Sequence, residues 1–324
     1  MKRSNTSALI ASAIFLFSFF ACTEDSLITQ EVPQPMSMGS GMAQKCKPVA
    51  QHLKPIVSFE WLKAYQNNVT IVDVRTEEEY LAGHIPGSIS MPFVVPFSDW
   101  IVSGDLLMEL PEVGHLETII GAAGISNRSK VVLVTGIGQP PYPLASATRV
   151  AATLHYLGFY DVAILDGGYD KWVTKGGKVT TVPSTLPSTR FFARPNSGMW
   201  VSTDYVAASI GSKIIIDTRD AEVYSGEVIE PWALVPGHIP SALSLPAVLI
   251  WNEDGTYKSK PELHQIVKNV LGNANKNQEI IIYCGVGGYT SSMYYVMHSI
   301  LGYKNLKLYD GSAQAWVMEH DMEL

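Results

Sequence analysis

The chain is written twice, and that constrains its fold more than any other feature. The stretch "IVDVRTEEEYLAGHIPGSISMP" at 71–92 returns as "IIDTRDAEVYSGEVIEPWALVPGHIPSALSLP" at 215–246, and "YLGFYDVAILDGGYDKW" at 156–172 returns as "ILGYKNLKLYDGSAQAW" at 300–316. Asp73 and Asp217 are 144 residues apart, as are Trp172 and Trp316. One offset at both ends of a segment is the mark of a duplicated domain. Between those ends the second copy carries ten extra residues before its "GHIP" and shorter connections afterwards, length changes that belong to loops.

Each copy alternates short β-branched runs (69–74, 131–134, 162–165; 213–216, 280–283, 306–309) with longer helix-like segments (76–82, 115–123, 145–157, 261–271, 290–301). That alternation predicts an α/β fold of two domains, each a mainly parallel central sheet flanked by helices. The bridge "TKGGKVTTVPSTLPSTRFFARPNSG" is rich in Pro, Ser, Thr and Gly, which places the boundary near Pro187 and gives domains of 55–186 and 187–324.

Ahead of the first copy, Lys2 and Arg3 precede an apolar stretch from Ala8 to Ala21, then Cys22 and polar "TEDS". The run is short of the roughly 20 residues that a membrane span needs and reads as a targeting segment. With Cys22 after Ala21 it resembles a bacterial lipoprotein signal over 1–22. This implies lipidation of Cys22 and an exported protein of the bacterial cell envelope, membrane-anchored or periplasmic. A plain secretory signal or an uncleaved anchor fits as well, since Phe19 and Phe20 depart from the usual pattern. Residues 23–54 lack apolar periodicity, as a flexible tether does. Met36, Met38, Met42 and Cys46 within them are soft donors, but without fixed spacing they need no metal reading. Three cysteines in 324 residues are too few for a disulfide scaffold. A net charge of −7 without a basic block excludes a nucleic-acid partner.

The chemistry concentrates at "IIIYCGVGGYTSS", where a strand ends in Cys284. Ligands of parallel α/β sheets sit beyond the carboxyl ends of the strands. A glycine-rich turn leading into a helix offers amide N–H groups and a positive helix end, which favour the nucleophilic thiolate. Thr290 and Ser291 are candidate N-caps of that helix. A strand-end cysteine is often only a small core hydrophobe; the adjoining loop and helix start argue for the reactive reading.

With Asp-x-Arg at Asp73/Arg75 and Asp217/Arg219, "GHIPGSI" and "GHIPSAL", the strand-Cys-loop-helix, and "LDGGYDKW" and "YDGSAQAW", residues 55–324 resemble the tandem-domain rhodaneses, the thiosulfate and 3-mercaptopyruvate sulfurtransferases. The resemblance implies that Cys284 takes a sulfane sulfur from a donor as a persulfide and passes it to a thiophilic acceptor, a thiol or cyanide, without cofactor or metal. It also implies an active loop of Cys284, Gly285, Val286, Gly287, Gly288 and Tyr289, with Thr290 next to it. In the first copy "VVLVTGIG" sets Thr135 where "IIIYCGVG" has Cys284; a hydroxyl forms no persulfide, so that copy is expected to be silent.

The loop carries no charge, which in this family leans toward mercaptopyruvate rather than thiosulfate. Val223 falls where the tandem enzymes usually place an arginine. Arg219 is a candidate substrate ligand, although its recurrence as Arg75 in the silent copy favours a brace with Asp217; His84 and His238 recur likewise and read as turn-stabilising. Glu227, Glu230 and Trp232 lie in the ten-residue insertion, and Trp232 is a candidate for the pocket lining. A second reading is a non-catalytic thiol-binding or redox-sensing module in which Cys46 caps Cys284 as a disulfide. A phosphatase is disfavoured, because the position six beyond Cys284 is Thr290 rather than arginine.

Overall fold

The computed structural model describes residues 52–324. The targeting segment, Cys22, most of the tether and Cys46 lie outside them, as does the Cys46–Cys284 pairing. Among the described residues no helix is long and apolar enough to cross a membrane.

Each copy builds a five-stranded parallel sheet. In the first, β1 (Ile56–Val57), β2 (Thr70–Asp73), β3 (Ile89–Ser90), β4 (Val131–Val134) and β5 (Val162–Leu165) lie in the order β1-β5-β4-β2-β3. In the second, β6 (Trp200–Val201), β7 (Ile214–Asp217), β8 (Leu243–Ser244), β9 (Ile280–Tyr283) and β10 (Leu306–Tyr309) repeat it as β6-β10-β9-β7-β8. The six longer strands match the β-branched runs to within a residue or two. Four two-residue edge strands are too short to leave a pattern.

The central strands are apolar on both faces, as parallel strands covered by helices must be. Ile280 and Ile282 of β9 face a cluster with Leu263 and Val267 of α8 (Lys260–Leu271) and Met293 of α9 (Gly288–Tyr295). Ile281 and Tyr283 point the other way, toward Val206 of α6 (Thr203–Ala207) and Trp316 of α10 (Ser312–Glu319). The first copy repeats the division. Val131 and Leu133 meet Leu116 of α3 (Val113–Ala122), with Ala147 and Val150 of α4 (Tyr142–Tyr156), while Val132 and Val134 meet Leu62 of α1 (Phe59–Tyr65) and Trp172 of α5 (Gly168–Thr174). Both tryptophans cap their cores, each donating its indole N–H to a carbonyl beyond its helix.

The two domains meet through α4 and α9. Thr148 Oγ1 lies 2.8 Å from Ser292 Oγ, and the Tyr295 phenol donates to the Pro55 carbonyl at 2.7 Å. The bridge between domains crosses later than Pro187. Thr189 N–H bonds the Gly121 carbonyl, Arg194 N–H bonds that of Leu157, and Phe191 is buried against Phe159, so the polar-looking connection first packs on the first domain.

Two local readings shift. The expected helix 290–301 begins at Gly288 and gives way after Tyr295 to a π-helical turn, Val296–Leu301. Its N-cap is Gly287, so Thr290 and Ser291 lie inside it: the Ser291 hydroxyl bonds back to the Gly287 carbonyl at 2.9 Å, and Thr290 is fully buried. A left-handed N-cap suits glycine better than a hydroxyl residue.

Candidate active site

Cys284 follows β9, the central strand; it is buried and forms no disulfide among the described residues. Its carbonyl accepts the Ala313 N–H at 2.9 Å, and the Gly285 carbonyl accepts the Gln314 N–H at 3.2 Å, tying the loop to α10. In the first domain the Tyr169 N–H bonds the Thr135 carbonyl at 2.8 Å. Tyr169 and Ala313 are 144 residues apart, so Thr135 occupies the structural place of Cys284. The Thr135 hydroxyl donates to the Pro143 carbonyl at 2.6 Å.

The loop turns back on the thiol. Gly287, with φ of 97°, aims its N–H at Cys284 Sγ over 3.0 Å. This amide and the N-terminus of α9 set positive partial charge against the sulfur. Gly285 is required for another reason: a Cβ there would run into the Trp232 indole nitrogen and stand 2.7 Å from Glu230 Oε2.

A cationic group beneath the loop comes from the other domain. Arg149 of α4 is fully buried; its Nη2 bonds Asp310 Oδ1 at 2.8 Å, and its guanidinium lies 4.6 Å from the centre of the Trp200 ring. Its Nη1 faces Gly287, 2.9 Å from where a Cβ would sit, and Nε and Nη1 have no hydrogen-bond partner. The neutral loop therefore rests on a positive charge that its own sequence does not contain. The trace of Arg149 in the sequence is a single arginine in the otherwise uncharged α4 segment "YPLASATRVAATLHY".

Arg219 is held away from the cavity. Its Nε bonds both Asp217 oxygens at 3.0 Å, and Nη2 bonds Asp217 Oδ2 at 2.6 Å and the Gly237 carbonyl at 2.7 Å. Arg75 makes the same set with Asp73 and the Gly83 carbonyl. Asp-x-Arg thus pins the glycine of "GHIP" in both copies. The histidines stack on tyrosines there, His84 on Tyr80 and His238 on Tyr224. The braces extend differently: the Arg75 guanidinium lies 3.6 Å from the centre of the Tyr169 ring, whereas Arg219 Nη1 lies 3.6 Å from Glu230 Oε2 and the Tyr283 hydroxyl donates to Asp217 Oδ2 at 2.6 Å. Val223 is buried and does not reach the site.

Cys284 opens into a cavity of about 230 Å³ between the domains. Gly285, Val286, Gly288, Tyr289 and Trp232 line it from the second domain, whereas Gly287, Thr290 and Arg219 do not. Asp220 and Glu230 add carboxylates, and Phe93, Met108 and Tyr142 are among the residues by which the first domain closes the other wall. Burial pushes the Asp220 carboxyl above the usual range, helped by nearby Glu222. Burial also raises that of Glu230, against the opposing pull of Arg219. The Tyr289 phenol is pushed far up by burial, then by the neighbouring acidic groups.

A parallel sheet repeated in identical order, with a thiol at the central strand end of one copy only, defines a tandem domain protein built around one nucleophilic cysteine. The rhodanese-like domain model matches residues 58–175 and 202–319, and the chain belongs to the rhodanese family. A putative thiosulfate sulfurtransferase of Mycobacterium leprae is 30% identical over 270 residues, covering 79% of this chain and 92% of the relative. A sulfur carrier protein of Thermus thermophilus is 29% identical, covering 82% and 94%. Among solved structures, SseA from Escherichia coli, described for the rhodanese fold and catalytic mechanism of 3-mercaptopyruvate sulfotransferases, aligns with a TM-score of 0.67 and 27% identity, covering 80% of this chain and 99% of that one.

Proposed function

We propose that the protein is a sulfurtransferase that carries sulfur as a Cys284 persulfide. The observation that carries this reading is the Gly287 N–H directed at Sγ over 3.0 Å, at the mouth of a cavity walled by both domains. The thiolate attacks the sulfane sulfur of a donor of the thiosulfate or mercaptopyruvate type, forming an S–S bond. The leaving group departs with the electron pair, as sulfite or, after gaining a proton, as pyruvate. A thiol or cyanide acceptor then attacks the outer sulfur and releases Cys284 as thiolate. The mercaptopyruvate type fits the uncharged loop better than a dianion does.

Incubation with either donor, followed by intact mass, should show one added sulfur on the protein and none on Cys284→Ser. Failure of every donor would leave the thiol-binding module in its place. For the N-terminal segment we propose lipidation of Cys22 and export to the cell envelope, supported by the sequence of residues 1–22; fatty-acid labelling lost in Cys22→Ser tests it.

A further inference from the structure

We infer that the sulfur acceptor of Cys284 is an organic cation, an ammonium-bearing thiol taken in preference to an anionic one. This rests on the sulfurtransferase reading and deepens it. Among the described residues no lysine, arginine or histidine lines the cavity, while Asp220 and Glu230 both do. Asp220 occupies the N-cap position of α7 (Ala221–Tyr224) yet makes no capping bond. Its counterpart Thr76 closes a full capping box on α2 (Glu77–Ala82). The Asp220 carboxylate is instead turned toward the thiol's cavity, with Oδ1 buried and without a hydrogen-bond partner.

Glu230 Oε2 is also buried, but the Trp232 indole and the Arg219 guanidinium 3.6 Å away already serve it in part, so Asp220 is the less compensated of the two. Tyr289, 9% exposed, lines the same space with its hydroxyl unpartnered. A buried carboxylate oxygen left without a donor, as at Asp220, carries a cost that a donor-bearing ligand removes, and the unpartnered Tyr289 hydroxyl can turn to suit the same ligand. Tyr142, Trp232 and Tyr289 give the same wall an aromatic lining, a setting that suits ammonium groups.

Neither nearby arginine lines the cavity, and Arg149 acts from behind Gly287, on the sulfur's side of the loop. Arg149 is paired with Asp310 and Arg219 with Asp217; only Glu230 has a guanidinium near, at 3.6 Å, and Asp220 has no ion pair among the described residues. The transfer needs no further reagent. The acceptor thiol loses its proton to solvent, its sulfur bonds the outer sulfur of the persulfide, the Sγ–S bond breaks, and Cys284 keeps the electron pair. The acceptor leaves as a persulfide with its ammonium group unchanged. The same carboxylates slow loading by dianionic thiosulfate relative to singly charged mercaptopyruvate.

The test measures modification of Cys284, followed by peptide mass, with three methanethiosulfonates: trimethylammonium-ethyl, methyl and sulfonatoethyl. Each rate is divided by that of a small free thiol, and the neutral reagent gauges access to the sulfur in every variant. The expected order is cation, neutral, anion, with a corrected cation-to-anion ratio of about tenfold or more. Asp220→Asn and Glu230→Gln should each lower that ratio several-fold. On persulfide-loaded protein, cysteamine should likewise outpace mercaptoacetate. An anion as fast as the cation, a ratio unmoved in both variants, or a Cys284 that none of the reagents reaches would overturn the inference. Absence of persulfide loading would instead overturn the sulfurtransferase reading, while the charge order at Cys284 would still be read directly.

Discussion

Thr148 Oγ1 and Ser292 Oγ stand 2.8 Å apart, and the two residues are the same position of the repeat, 144 residues removed. Equivalent residues touch each other only where a two-fold axis passes, as in an isologous dimer. The first domain is thus one half of a quasi-symmetric interface. A double-mutant cycle with Thr148→Val and Ser292→Ala should give a coupling of about 0.5–1.5 kcal/mol by urea unfolding. Simple additivity would mean that the pair contributes nothing.

Arg149 should matter to stability and to chemistry together. Arg149→Met leaves Asp310 without its partner and removes the charge behind Gly287, so unfolding free energy should fall by about 3 kcal/mol or more. Cys284 persulfide formation should slow at least about tenfold among molecules that remain folded. Arg149→Lys should not restore it, because a lysine cannot span Asp310, the Trp200 face and Gly287 at once.

Gly285→Ala forces the Trp232 indole or the loop to move. Sulfur transfer should drop about 10- to 100-fold with little change in melting temperature. Adding Trp232→Ala should recover part of the loss by opening the space, a reversal that steady-state rates on the double variant would show.

His155 should make the domain interface acid-sensitive. It is buried among Tyr160, Tyr294, Tyr295 and His298, and burial, then His298, hold its pKa down to about 3. The unfolded chain binds the proton near pH 6.5 and the folded one does not. Stability attached to neutral His155 is therefore full above about pH 6.5 and is lost progressively as pH falls toward 3. His155→Gln should flatten that slope in urea titrations by up to about 5 kcal/mol across the window.

Asp220 should trade stability for its place in the cavity. Its carboxyl is raised by burial, so the ionised form is the costly one in the folded state. Asp220→Asn should raise the melting temperature at pH 7 by at most about 2 °C. The gain should vanish in acid, once the native carboxyl is protonated.

The sheet cores were legible because strands such as "VVLV" and "IIIY" are buried on both faces and read as unbroken apolar runs. The short helices α6 and α7 were not, since four or five residues leave no period to count. At the site, Cys284 and its glycines announce themselves locally, and Trp232 came from the length difference between copies. Asp220 carries no mark in the sequence that sets it apart, and Arg149 meets the Cys284 loop, as Tyr142 and Phe93 meet its cavity, only through the packing of one domain on the other. Arg219 shows the opposite case: a charged residue beside the site whose donors the brace already holds.

With Thr135 where the second copy has Cys284, the loop after it holds no thiol. It runs five residues longer than its counterpart and leads into Tyr142, which faces Tyr289 across the cavity at 5.8 Å between ring centres. The thiol and part of the wall around it thereby sit in different halves of one polypeptide. Substitutions at Phe93 or Tyr142 can retune which molecules reach Cys284 while its own loop stays untouched, so selectivity can drift in the half that lacks the thiol.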